Sequence, residues 1–527
     1  MGTSGKEGKE EKIPPVPEKW DRCHAYMEKK RRFCRQRRHG KSLLYCGNHQ
    51  HLETSSKTQR KRIPCPIDPS HLIFEDQVDK HILVCPRVKK RKRQERAFFF
   101  RENINLGGSG DLCDSSSTCT LIPDNVAWAK NLALRVLEVH QQVFEREKQD
   151  SVVSFSELTF SDLHGVIETR DFSQNELDAG MLESFQSHRI KSGGSRHIPQ
   201  IASLVGHLRA IGVLPRSSEM SDESSESAFK KPLVLLEMGA GRGMLGLAVA
   251  GAAGTNKIDT HLMMIERAGT RSKAEKIFRN LNHEQGKSSS YLTLDKIKWS
   301  RINCDLSHVY LPVLLEKEEF QNAKIVVIAK HLCGVGTDLA LKAIEPIRDR
   351  VSACVMATCC HGVCNWCGYV GRDFLRKKIE DPNKNVSFGP KEFDLMRKWC
   401  AGTVACDLIA STDELKNTRS SPNTNMSEQE EEPQVDHAAP DGKDTDPPSA
   451  RVNISAIVSS LNLACGVKGL GRVCQRLIDY GRREYLRNNL FRESDTEIFD
   501  SEENFGLYHY VAPETTPQNA VLVAYRK

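Results

Sequence analysis

No stretch of this 527-residue chain approaches the ~18 consecutive apolar residues that cross a bilayer, which argues against an integral membrane protein. The first residues, MGTSGKEGKEEK, lack the apolar core of a secretory signal. Lys6 stands where a myristoylation motif requires Ser or Thr, so neither export nor a lipid anchor is expected and the chain reads as intracellular, in the nucleus, the cytoplasm or both. Aromatic residues are scarce, at 6%, and hydrophobic residues reach only 39%. That is too polar for one uninterrupted globule, but it leaves material for one large core with small modules beside it. No internal repeat is present. At roughly 150 residues per domain the length suggests three or four units.

Positive charge is unevenly placed. Residues 1–101 hold 26 Lys and Arg against 12 Asp and Glu, a balance of +14, and since the whole chain is +7 the remainder is −7. A cationic end on a near-neutral body suits a protein that brings a polyanion to a second module. The 18 cysteines come without a secretory signal, so reduced thiols and metal sites are expected before disulfides.

Residues 1–20 are polar and expected to be disordered. Cys and His then recur at two sets of spacings, in 21–50 and in 62–88. The run KKRKR (89–93) opens a basic and flexible linker, 89–123, with GGSG and SSST in 102–120. KKRKR reads equally as a nuclear localisation signal, a phosphate-contacting strap or a solvated charged linker. A helical region over 124–215 leads into the main domain. In it Trp128, Leu132, Val136, Val139 and Val143 fall on one helical stripe, and 197–211 suggests a second helix. From 230 to 527 apolar strands alternate with helices, as at LVLLEM (233–238), HLMMIE (261–266), RSKAEKIFRNL (271–281), KWSRINC (298–304), KIVVIA (324–329) and SACVMAT (352–358), and a hairpin at 508–513 and 520–525 closes the chain. Alternating units of this kind imply a largely parallel sheet covered on both sides. The segments 216–228 and 412–450 break the pattern. The latter, with ten acidic and three basic residues, reads as a disordered acidic insertion.

Cys23, Cys34, Cys46 and His49 stand ten, eleven and two residues apart, and Cys65, His71, His81 and Cys85 five, nine and three apart. Three thiolates with one imidazole, or two with two, fill a tetrahedral zinc shell and make structural sites. Segments this short cannot build a core alone, so the metal supplies their folding energy. Basic and aromatic residues lie between the first set of ligands and suit a nucleic-acid backbone and its bases. The second set resembles the CHHC finger shared by a U11 spliceosomal protein and certain tRNA methyltransferases.

The strand at 233 runs into EMGAGRGMLG (237–246). Gly239, Gly241 and Gly243 allow a sharp turn and close approach of a ligand. Gly241, Gly243 and Gly246 also satisfy the dinucleotide pattern G-x-G-x-x-G. Glu237 decides for S-adenosylmethionine, because a carboxylate beside a pyrophosphate is unfavourable whereas this cofactor carries an ammonium. Glu266, ending the next strand, suits the ribose hydroxyls of an adenosyl group. Asp305 suits the adenine amine or is a plain surface residue.

Ligands of open α/β sheets bind beyond the carboxyl ends of the strands. AKHLCGVGTDLAL (329–341) and CCHGVCNWCGYVG (359–371) occupy that edge, and GLGRVCQRLIDYGRREYL (469–486) is a basic helix with Arg472, Arg476 and Arg483 near one face. In this order, behind CCCH and CHHC fingers, these motifs resemble the eukaryotic tRNA 2′-O-methyltransferases that modify nucleotide 4 of the acceptor stem. The resemblance covers most of 20–100 and 190–527. It implies an α/β fold: a class I (Rossmann-like) S-adenosylmethionine methyltransferase domain with two small N-terminal zinc fingers. It also implies tRNA as substrate, its ribose 2′-hydroxyl as acceptor, and two structural zinc ions.

Attack of a weakly acidic hydroxyl needs positioning and proton removal. Lys330, His331 and His361 are the candidate catalytic residues. Cys359, Cys360, His361, Cys364 and Cys367 allow a third metal site or a set of buried thiols. Trp366 and Tyr369 suit nucleotide stacking or core packing equally. Two other readings stay open: a non-catalytic RNA-binding or splicing-associated finger protein, and a base or protein methyltransferase. The sequence indicates neither a membrane association nor a protein partner.

Overall fold

The computed structural model describes residues 21–27, 32–38, 44–46, 49, 52, 62–69, 71–106, 126–144, 167–172, 197–215, 231–255, 258–268, 274, 297–401, 466–491 and 504–526. The disorder expected at 1–20, the loop at 216–228, most of the helix at 271–281 and the insertion at 412–450 lie outside them. The chain divides into two compact units, Met1–Ala97 and Phe98–Lys527. No helix among the described residues is long and apolar enough to cross a membrane.

The first unit holds two small ribbons. Strands β1 (Tyr26–Met27) and β2 (Arg32–Phe33) pair antiparallel, and Tyr26 packs edge-on against Phe33 at 5.3 Å. Strands β3 (Arg62–Pro64) and β4 (Leu72–Phe74) do the same, followed by helices α1 (Val78–Val84) and α2 (Pro86–Glu95). Pro86 starts α2 because a first-turn N–H has no helical partner to lose. The KKRKR run therefore lies on a helix rather than in the linker that its composition suggested, with Lys89, Arg91, Lys92 and Arg93 exposed.

Among the described residues the second unit has seven strands: β5 (Leu233–Met238), β6 (Thr260–Ile265), β7 (Ile297–Ile302), β8 (Lys324–Cys333), β9 (Val351–Cys359), β10 (Phe505–His509) and β11 (Ala520–Tyr525). Their order is β10-β11-β9-β8-β5-β6-β7. Strands β5 to β9 run parallel, and β11 enters antiparallel between β9 and β10. The order reverses between β5 and β8, which opens a crevice at their carboxyl ends.

Continuous apolar strands arise because both faces are covered. Leu233 and Leu235 of β5, with Val326 and Ile328 of β8, enter one core, while Val234, Leu236 and Met238, with Ile325 and Val327, enter the other. At about 1.5–3 kcal/mol per buried aliphatic side chain, this two-sided burial is the main favourable term of the sheet. Helices α4 (His197–Ala210) and α5 (Met244–Thr255) cover the first face. Helix α6 (Gly336–Ile344) lies on the second.

A third core joins α3 (Val126–Phe144), α7 (Arg372–Ile379) and α8 (Gly466–Tyr485). The apolar stripe of α3 is buried there, at Leu132, Val136 and Val139, so this helix is part of the second unit rather than a lead-in. Residues 98–106 also belong to this unit. The side-chain amide of Asn105 donates to the carbonyls of Leu306 and Val309, and the N–H of Tyr310 donates to the carbonyl of Phe99. The linker expected over 89–123 is thus docked at 98–106, because Phe99 and Phe100 pack against the second core.

Candidate active site at the sheet edge

The loop after β5 passes three left-handed positions, Gly239 at φ +63°, Gly241 at +49° and Gly243 at +71°. A side chain is disfavoured at each. At Gly239 a Cβ would strike Leu332 of β8, and at Gly243 it would stand 2.6 Å from Sδ of Met264. The loop is therefore pinned between its two neighbouring strands at the crevice. Glu237 is buried beneath it at 3% exposure, with its Oε2 against Gly246 and lacking a hydrogen-bond partner. Burial pushes its carboxyl up to about 8, against the charges of Arg301 and Lys330. An unpartnered acceptor under a bare-backbone loop suits a cationic ligand that can draw the proton off.

Glu266 stands at the end of β6. Its Oε2 accepts the N–H of Gly241 at 2.8 Å, and its Oε1 accepts that of Ala268 at 2.7 Å. Asn303 holds this corner by donating to the carbonyls of Glu266 and Ala268, both at 3.2 Å. A carboxylate offers about four acceptor sites, so two remain for the hydroxyls of a ribose. Asp305 uses Oδ1 to accept both the N–H and the hydroxyl of Ser307, while Oδ2 lies 3.8 Å from Arg267. Glycines, orphan carboxyl and corner carboxylate together fit an adenosyl cofactor with an ammonium at one end.

Lys330 lies near the carboxyl end of β8, and its Nζ stands 3.2 Å from Nδ1 of His197, the first residue of α4. Sequence reading missed His197, which lies 133 positions away and carries no motif. The register of β8 against β9 slips between Lys330 and Leu332, leaving His331 as the extra residue of a bulge. Bulges of this kind re-aim side chains beside sites. The side chain of His331 lies outside the described set.

His361 is 2% exposed. Its Nε2 stands 2.8 Å from Oδ1 of Asp479 on α8, and its Nδ1 stands 3.3 Å from Oε1 of Gln518. Burial alone would raise the Asp479 carboxyl, but His361, Arg482 and Arg476 hold it down at about 2. Arg482 forks onto Asp338 at 3.1 and 2.6 Å. This network braces the loop after β9 and is closed to a substrate hydroxyl.

The basic face expected on α8 is turned inward: Arg472 and Arg476 are 2% and 1% exposed. Arg476 meets His509 at 2.6 Å and Asn519 at 3.0 Å, and Arg483 is half-buried against Glu484. They are therefore not a surface for RNA. Tyr369 stacks on Phe393 at 5.0 Å and donates its hydroxyl to the carbonyl of Ile478, while Trp366 packs on Phe388. Both are core residues. Cys367 is disulfide-bonded, against the expectation of reduced thiols throughout.

In the first unit, ligand atoms of Cys23, Cys34, Cys46 and His49 lie within 4.8 Å of one another, as do those of Cys65, His71, His81 and Cys85. In the second set Nε2 of His71 and Nε2 of His81 are 2.9 Å apart, an arrangement of lone pairs that a cation relieves. Oδ2 of Asp68, 3.9 Å from Nδ1 of His71, is placed to fix that ring from behind. Both sets fit zinc. A separate cavity of about 440 Å³, lined by Phe98, His261 and Met263 among others, touches none of the glycine-loop residues.

A family model described as methyltransferase TRM13 matches residues 199–525, and one described as a U11-48K-like CHHC zinc finger matches 62–86. A Vanderwaltozyma polyspora protein named tRNA:m(4)X modification enzyme TRM13 is 25% identical over 513 residues, covering 96% of this chain and 97% of that one. The human protein named as its homolog is 25% identical over 552 residues, covering 95% and 94%. Among solved structures, the DszA carbon methyltransferase aligns over 43% of this chain and 46% of that one at 14% identity with a TM-score of 0.19, too slight a likeness to argue from.

Proposed function

Because the chain belongs to the methyltransferase TRM13 family, we propose that it moves a methyl group from S-adenosylmethionine to the ribose 2′-hydroxyl of nucleotide 4 in the acceptor stem of tRNA. The observation that carries this reading is the carboxyl edge of the paired strands β5 and β8, where the glycine loop, Glu237 and Glu266 stand beside Lys330 and its partner His197. The zinc-finger unit supplies exposed cations on α2 for the phosphate backbone. Stem RNA displays its 2′-hydroxyls in a wide minor groove, so recognition by shape suits it. We place the enzyme inside the cell, in the nucleus or the cytoplasm.

When bound, the donor supplies a methyl carbon made electrophilic by the adjoining sulfonium. The chain's own part is to hold and to deprotonate. Gly239, Gly241 and Gly243 let the cofactor lie against bare backbone, Glu237 takes its ammonium, Glu266 its ribose, and Asp305, whose Oδ2 lies 3.8 Å from Arg267, is the candidate for the adenine edge. Lys330 orients the 2′-hydroxyl. The proton released as that oxygen is methylated passes to Lys330, whose Nζ stands 3.2 Å from Nδ1 of His197, a nitrogen that also stands 3.2 Å from the accepting Oε1 of Gln200. His361 keeps the loop in place rather than meeting substrate.

Methylation of a base is less well supported, since the carboxyl end of β8 reads KHLC and lacks the Asn/Asp-Pro-Pro-aromatic run that base-amino enzymes often carry. The deciding experiment incubates the protein with labelled cofactor and bulk tRNA and digests the product to nucleosides. Label in a 2′-O-methylnucleoside supports the proposal, and label in a base or in protein removes it.

A further inference from the structure

We propose that Cys333, Cys359 and Cys360 form a third metal site, separate from the fingers, that takes zinc and leaves one coordination position open. Their sulfurs all lie within 4.8 Å of one another. Cys333 ends β8, Cys359 ends β9, and the two are partners at the last step of the strand register. Their sulfurs are 3.8 Å apart. Sulfurs around a tetrahedral zinc at about 2.3 Å stand about 3.8 Å from each other, whereas a disulfide would bring them to about 2.05 Å. The same spacing recurs at the finger sites, 3.9 Å between Cys65 and Cys85 and 4.0 Å between Cys34 and Cys46.

The backbone at Cys360 is the second observation. A strand that simply continued would send its side chain to the face opposite Cys359. Instead Cys360 adopts φ +52°, one of three non-glycine residues with positive φ among those described, and the chain folds back so that both sulfurs gather on one side. Such outliers persist where the surrounding structure holds them for a purpose.

Other residues of the CCHGVCNWC loop are committed elsewhere. Both ring nitrogens of His361 face Asp479 and Gln518, Sγ of Cys364 receives Nη2 of Arg482 at 3.3 Å, and Cys367 is disulfide-bonded. The thiols of Cys333, Cys359 and Cys360 face one another. Two of them, Cys333 and Cys360, are exposed, so the fourth position opens to solvent, as in zinc sites that exchange a ligand. The ion sits three residues beyond Lys330, and Leu332 between them packs toward Gly239. It would therefore tie β8 to β9 directly behind the reacting corner. The proposal does not depend on which atom of tRNA is methylated.

Metal content of the full-length protein tests it. By inductively coupled plasma mass spectrometry the wild type should carry about three zinc ions per chain, and Cys333→Ser and Cys360→Ser each about one fewer, with a native circular-dichroism spectrum because both side chains are exposed. Cys65→Ser should also lose about one, and the Cys65→Ser/Cys333→Ser pair about two, showing that the sites are distinct. Equal zinc content in the wild type and both exposed-cysteine variants would overturn the proposal. So would a Cys333–Cys359 disulfide found by peptide mass spectrometry in freshly purified protein.

Discussion

Nζ of Lys330 and Nδ1 of His197 meet at 3.2 Å across the mouth of the crevice, joining a strand end to the first turn of a helix on the other side of the chain. Lys330→Ala should lower the single-turnover methylation rate by about 10²- to 10⁴-fold while leaving the cofactor dissociation constant within a few-fold. His197→Ala should cost less and displace the basic limb of the pH–rate profile. A wild-type rate in Lys330→Ala would remove this pair from the chemistry.

Two neighbouring glycines separate strain from steric closure. A Cβ on Gly241 meets nothing within 4 Å, so Gly241→Ala carries only the left-handed backbone penalty of about 1–2 kcal/mol. Cofactor affinity should fall by about tenfold. At Gly239 the added carbon also drives into Leu332, so Gly239→Ala should bind more weakly still. Isothermal titration of both variants checks the order, and the reverse order would mean that the loop does not carry the cofactor.

What could be read from residues alone follows from how local each signal is. LVLLEM and KIVVIA announced two-sided strands because every side chain in them except Glu237 and Lys324 finds an apolar layer. The glycine loop and the finger ligands were legible because short-range spacing defines them. The arginines of α8 misled, since a charged helix normally faces water. Their burial depends on partners such as Asp338, Asn519 and His509, brought from other elements. His197 and the Cys333–Cys359 pair stayed hidden for the same reason. Trp366 and Tyr369 went inward because Phe388 and Phe393, on a later segment, gave them aromatic neighbours.

The zinc fingers should be separable from the donor pocket. Cys65 is 1% exposed within a cluster that the metal must complete, and it belongs to the unit Met1–Ala97. Cys65→Ala should release about one zinc and weaken tRNA binding, with cofactor affinity unchanged. Loss of cofactor binding as well would contradict this separation.

Burial pushes Glu237 up to about 8, so at neutral pH much of the free enzyme holds this carboxyl protonated. An ammonium seated beside it favours the ionised form. Cofactor binding below about pH 8 should therefore release a proton, seen as a dependence of binding enthalpy on the ionisation enthalpy of the buffer. Glu237→Gln should abolish that dependence and weaken binding. Proton release unchanged in the variant would show that Glu237 does not face the ammonium.

Acid should loosen the protein before its carboxylates are protonated. His140 is 0% exposed on α3, and burial, aided by the charge of Arg476, lowers it to about 3. His207 on α4 is lowered to about 4, by burial first and by Arg170 second. Both groups bind a proton more readily in the unfolded chain, near 6.5, than in the folded one. Their contribution is complete above about pH 6.5 and is lost as pH falls toward the folded values, because the unfolded state takes up protons over that window. The urea midpoint should fall steadily from pH 7 to pH 5. His140→Phe should flatten part of that slope, since a ring of similar size keeps the packing against Phe144, which lies 4.7 Å from His140, without a site to protonate. A slope unaltered in His140→Phe would mean that the acid sensitivity arises elsewhere in the fold.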